Sequence, residues 1–81
     1  MKIKILGPGC HRCDELEKVT KEVLGELNLD ANFEHVRDIK KIMEYPILTT
    51  PGLVINEKLI VSGRVPSKAE VTTFITTALT E

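Results

Sequence analysis

Apolar positions along this chain alternate between two periods, and the changes of period mark out its elements. Ile3, Ile5 and Leu6 form a short run that stops at Gly7, Pro8 and Gly9, residues that suit turns and interrupt regular structure, so a strand is predicted there. Leu16, Val19, Thr20, Val23, Leu24 and Leu27 then recur at three- and four-residue spacing, the signature of one apolar helix face. Asn28 and Asp30 suit that helix's exit. The segment "ANFEHV" reads as a second strand, less apolar than the first and therefore placed at an edge.

Asp38 is a candidate cap for a short second helix that turns Ile39, Ile42 and Met43 inward and ends at Tyr45 and Pro46, because proline restricts the residue before it. "GLVIN" and "KLIVS" read as two strands joined tightly at Asn56 and Glu57. Glycine usually fills the second place of such a turn, so Glu57 implies a longer loop or a different turn type. In the last segment Ser67 and Glu70 form a capping box, followed by a stripe of Val71, Phe74, Ile75, Ala78 and Leu79. Thr72, Thr73, Thr76 and Thr77 favour strand, but each costs a helix only about a few tenths of a kcal/mol, so the helical period decides.

The order is β-α-β-α-β-β-α, an α/β fold. The strand-helix-strand crossover makes the first two strands parallel, and the last two pair as an antiparallel hairpin. A chain of 81 residues, 42% apolar, suits one domain spanning 1–81. The formal charge of −1 provides no field for nucleic acid or acidic lipid. No apolar run approaches the ~18 residues of a membrane span, and "MKIKILGPG" lacks the long apolar stretch expected of a secretory signal. The expected address is the cytoplasm, where thiols are kept reduced and a vicinal pair is catalytic or metal-binding rather than a staple.

That pair is Cys10 and Cys13, at the mouth of the first helix. Residues three apart on a helix lie about 5–6 Å from each other, within disulfide reach. Unpaired N–H groups and the partial positive charge of a helix start favour thiolate over thiol. Cys10 is expected to be the exposed, lower-pKa sulfur that attacks first; Cys13, one turn deeper, resolves the mixed disulfide. His11 and Arg12 are supporting candidates because imidazolium and guanidinium both stabilise a nearby thiolate. Asp14, Glu15 and Glu17 oppose them.

"LGPGCHRC" after the first strand, "TTPGLVIN" before the third and "VSGRVPSKAE" before the last helix together resemble the small prokaryotic thioredoxin- and glutaredoxin-like redox-active disulfide proteins, a minimal thioredoxin fold. The resemblance covers nearly the whole chain. It implies a four-stranded mixed sheet flanked by three helices, a cis Thr50–Pro51 bond, and a loop at Thr50 and Pro51 that faces the cysteines and pairs with an extended substrate. It implies a monomeric oxidoreductase that exchanges its dithiol with protein or small-molecule disulfides and is recharged by a thiol or flavoprotein reductase. No cofactor or resident metal is called for. Two departures stand out: Gly9 occupies the place of the tryptophan found in many thioredoxins, and "IKIL" carries no acid, so proton transfer from Cys13 requires another route, such as water. Glutaredoxins hold glutathione with a basic residue and a Gly-Gly plus acid that this chain lacks. Arg64, at the entrance of the last helix, is left as a candidate partner for a carboxylate.

Two other readings use the same residues. A soft-metal module holding copper or zinc through C-x-x-C is one, with His11 and His35 as further ligands. Copper carriers run β-α-β-β-α-β and end on a strand, whereas this chain ends on a helix, and His35 reads as an ordinary sheet residue. A non-catalytic redox sensor is the other. A phosphate loop, a serine elbow and a basic patch with interleaved aromatics are all absent from the sequence.

Overall fold

A computed structural model describes residues 1–9, 11–47 and 49–80. Its elements are β1 (Lys2–Leu6), α1 (His11–Glu26), β2 (Asn32–Val36), α2 (Ile39–Ile42), β3 (Gly52–Ile55), β4 (Lys58–Ser62) and α3 (Lys68–Thr80). The strands form one mixed sheet in the order β2-β1-β3-β4. The crossover through α1 makes β1 and β2 parallel, while β1–β3 and β3–β4 are antiparallel. The expected α/β order and the edge position of β2 are both observed.

Side-chain alternation along the strands divides the core in two. Ile3, Ile5, Leu53 and Ile55 face Leu16, Val23 and Leu24 of α1 and Val71 and Ile75 of α3. Leu6, Val36 and Val54 face the other way, onto Ile42 and Ile47. A bulge in β4 serves both sides: Leu53 pairs with Val61 but Val54 pairs with Leu59, which leaves Ile60 as the extra residue. Strict alternation would put Leu59 and Val61 on one face; the bulge sends Val61 to the first core and Leu59 to the second.

The helix ends follow their sequence signals. Asn28 leaves α1 with φ of 54°, the left-handed exit that asparagine tolerates. Asp38 caps α2 by accepting from the Lys40 N–H at 2.9 Å. The capping box closes reciprocally: the Ser67 N–H donates to Glu70 (3.1 Å) and the Glu70 N–H to Ser67 Oγ (3.2 Å). The α3 threonines stay helical, and Thr72, Thr73 and Thr76 return their hydroxyls to carbonyls of the preceding turn.

Three local expectations are corrected. Of the residues meant to point inward from α2 only Ile42 is buried; Ile39 is 57% and Met43 68% exposed. A helix of four residues presents barely one turn to the sheet, too little for three inward side chains. Leu79, in the last turn of α3, likewise stands 52% exposed. The hairpin is not lengthened to suit Glu57: Asn56 and Glu57 form a two-residue turn with φ of 51° and 68°, the doubly left-handed conformation that matches strand twist. Both residues are held from outside the turn. Asn56 exchanges hydrogen bonds with the Lys2 backbone, and Glu57 binds Lys4 Nζ (2.9 Å) and the Tyr45 hydroxyl (3.0 Å).

Candidate active site

Strand register brings three distant segments to one end of the sheet. Because β1 and β2 are parallel, their last residues, Leu6 and Val36, lie side by side. Because β3 runs antiparallel to β1, its first residue, Gly52, pairs with Leu6. The Gly7–Gly9 stretch, the exit of β2 and the Thr50–Pro51 corner therefore meet beyond the same edge, as ligand sites do at strand ends in open α/β sheets.

Gly7 is the common wall. A Cβ on Gly7 would strike Cys13 Sγ and would stand 3.8 Å from the Thr50 Cβ, so only a glycine lets the β1 exit lie between the sulfur and the corner. Cys13, in the first turn of α1, is fully buried. Cys10 lies outside the described residues, and so do the expectations for its exposure and its reach to Cys13. His11 is 89% exposed on its side chain and pairs with Glu15 one helical turn on, at 3.0 Å. Arg12 is exposed beside it.

The Thr50–Pro51 peptide bond is cis. Pro51 is buried, and its carbonyl accepts from the Gly63 N–H at 2.8 Å, which ties the corner to the exit of β4. An open groove of about 440 Å³ runs from this corner along Ile39, Ile42, Met43, Ile47, Thr49 and Thr50. The exposure of Ile39 and Met43 that the second core cannot explain is explained here, since both line the groove. Alternation along α2 does not reveal this, because the same apolar spacing marks a buried face.

Two further residues come from the β2 exit. Arg37 presses its guanidinium against the loop: Nη1 would lie 2.5 Å from a Cβ on Gly9, the residue before Cys10. His35, read from sequence as an ordinary sheet residue, has a side chain only 8% exposed. Its Nε2 meets the Gly7 carbonyl at 3.2 Å and its Nδ1 approaches Glu17 at 3.4 Å. The signal available was topological: once β1 and β2 are parallel neighbours, residues ending β2 flank the loop leaving β1.

Arg64 finds its carboxylate inside the chain. Its two terminal nitrogens bind the two oxygens of Glu70 at 3.1 and 2.7 Å, and that guanidinium, with the Ser67 backbone N–H, lowers the Glu70 carboxyl to about 2. Among the described residues no three His, Cys, Asp or Glu side chains converge in a way suited to a metal ion, and no helix is long and apolar enough to cross a membrane.

Residues 1–76 match the family model of the thioredoxin domain. The chain belongs to the thioredoxin family. It is 42% identical over 71 residues to a thioredoxin of Methanothermobacter thermautotrophicus, a match covering 88% of this chain and 92% of that one. It is 32% identical over 69 residues to a thioredoxin of Methanocaldococcus jannaschii, covering 85% and 79% respectively. The four-stranded sheet with its three helices is accordingly a thioredoxin-like fold, and the chain is a thiol-disulfide oxidoreductase of the thioredoxin type.

Proposed function

We propose that this thioredoxin-family chain, a single domain over residues 1–81, reduces protein disulfides through Cys10 and Cys13. The Cys10 thiolate attacks one sulfur of the substrate disulfide, forms a mixed disulfide and expels the other sulfur as a thiolate that takes up a proton. The Cys13 sulfur, deprotonated, then attacks Cys10; the Cys10–Cys13 disulfide forms and the second substrate thiol leaves. Two electrons have passed to the substrate, and a dithiol or flavoprotein reductase returns them.

The observation that carries this reading is the place of Gly7, where an added Cβ would strike Cys13 Sγ and come within 3.8 Å of the Thr50 Cβ. It supports a buried resolving sulfur sharing one wall with a corner against which an extended substrate can lie. The apolar groove beside Thr50 supports a peptide substrate over a small polar disulfide. Arg37 at Gly9 supports a cationic setting for the Cys10 thiolate, in addition to the α1 N-terminus. His11, paired with Glu15, contributes less.

Insulin reduction with dithiothreitol as electron source tests the division of roles. Cys10→Ser is expected to abolish turnover, and Cys13→Ser to accumulate a mixed disulfide visible by mass under non-reducing conditions. Equal survival of turnover in both variants would defeat the assignment. Thiol titration before and after dithiothreitol, with and without a chelator, separates a reversible disulfide from a metal-holding pair, since only the latter releases thiols on chelation.

A further inference from the structure

We propose that His35 is a positioning residue for disulfide exchange: by holding the Gly7 carbonyl, it fixes the slot beside Cys13. This rests on the thiol-disulfide reading of the site. The argument begins with what tethers the β1 exit. The Gly7–Gly9 stretch has no side chain longer than that of Pro8 with which to anchor itself, and Gly9 takes φ of 102°. Gly7 is held from β2 at both ends of its peptide: its N–H donates to the Val36 carbonyl at 3.0 Å, and its carbonyl faces His35 Nε2 at 3.2 Å.

A carbonyl oxygen only accepts, so Nε2 carries a proton in this contact. The ring's other nitrogen, Nδ1, is buried, has no hydrogen-bond partner among the described residues, and points toward Glu17 Oε1 at 3.4 Å. The ring's orientation is thus fixed on the Nε2 side, where it donates to Gly7, with Glu17 beside the other nitrogen and not bonded to it.

Glu17 stands four residues after Cys13, so the two are neighbours on successive turns of one helix face. The contacts close a circuit: Cys13 Sγ touches Gly7, Gly7 binds His35, His35 faces Glu17, and Glu17 returns along α1 to Cys13. His35 is thus a side-chain tether on the β1 exit where it passes the sulfur. Removing its tether lets Gly7 drift from Cys13, and the exchange step, which needs the sulfur in line with a mixed disulfide, becomes slower.

The test compares His35→Leu, which keeps volume and loses both nitrogens, with His35→Gln, which keeps a donor for the Gly7 carbonyl. His35→Leu is expected to shift the equilibrium constant with dithiothreitol by about two- to tenfold, the range spanned by the net worth of one hydrogen bond. It is expected to lower insulin-reduction kcat by a similar factor with KM unchanged, and His35→Gln to restore most of both. A fall in melting temperature with an unaltered equilibrium constant and kcat would overturn the proposal, leaving His35 a packing residue. If His35→Leu does not fold, His35→Phe, which keeps a ring and loses both nitrogens, carries the test: a shift in the same direction upholds the tether, and no shift overturns it. Wild-type protein that reduces no disulfide would instead sink the functional reading, a result distinguishable from unaffected variants of an active protein.

Discussion

The two faces of the sheet are built differently, and their difference separates stability from function. On one face α1 and α3 cover Ile3, Ile5, Leu53 and Ile55 with interlocked aliphatic side chains. On the other, a helix of four residues and the segment through Ile47 cover only part of the sheet. The space left over is taken partly by the Lys4, Tyr45 and Glu57 cluster and partly by the open groove. In that cluster Lys4 is held charged beyond the ordinary lysine range, by the Tyr45 hydroxyl first and Glu57 next. Glu57 is correspondingly lowered by Lys4 and Tyr45. One face maximises apolar burial; the thin one keeps apolar surface uncovered beside the candidate site.

The largest effect should come from the thick face. Ile5→Ala is expected to cost about 2–5 kcal/mol, since Ile5 is fully buried and the surrounding side chains relax only partly into the cavity. Urea denaturation measures it, and a cost near that of a surface change would remove the basis of the contrast.

The capping box of α3 sharpens the comparison through pH. Glu70 is lowered to about 2 from 4.5, so its contribution to stability is complete above the unfolded-state value and is lost as pH falls through that interval toward about 2. Glu70→Gln is therefore expected to be less stable than wild type at neutral pH, with the difference shrinking across that acid range. A difference independent of pH would mean that the Arg64 pair contributes nothing through charge.

The smallest effect on stability belongs to the groove. Ile39→Ser and Met43→Ser are expected to alter unfolding free energy by no more than about 0.5 kcal/mol, because both side chains are mostly exposed. They are expected to raise KM for a protein disulfide by about tenfold, equivalent to about 1.4 kcal/mol of lost apolar contact, while leaving a small-molecule disulfide unaffected. Strong destabilisation by either would show that the thin face is a core after all.

The linear code determined much of this. Period set the strands and long helices, and local chemistry set the Asp38 cap and the Ser67–Glu70 box. Each of these depends on residues within one or two turns of each other, so sequence neighbours suffice. Tertiary structure decided what happens between segments. The parallel register set His35 and Arg37 against the loop before Cys10, the brevity of α2 left Ile39 and Met43 facing solvent beside Thr50, and the Glu70 carboxylate claimed Arg64. Burial of a strand-end histidine and exposure of a short helix's apolar residues depend on which neighbour the fold brings up, and that is a property of strand order and chain length between contacts rather than of the residues' own preferences.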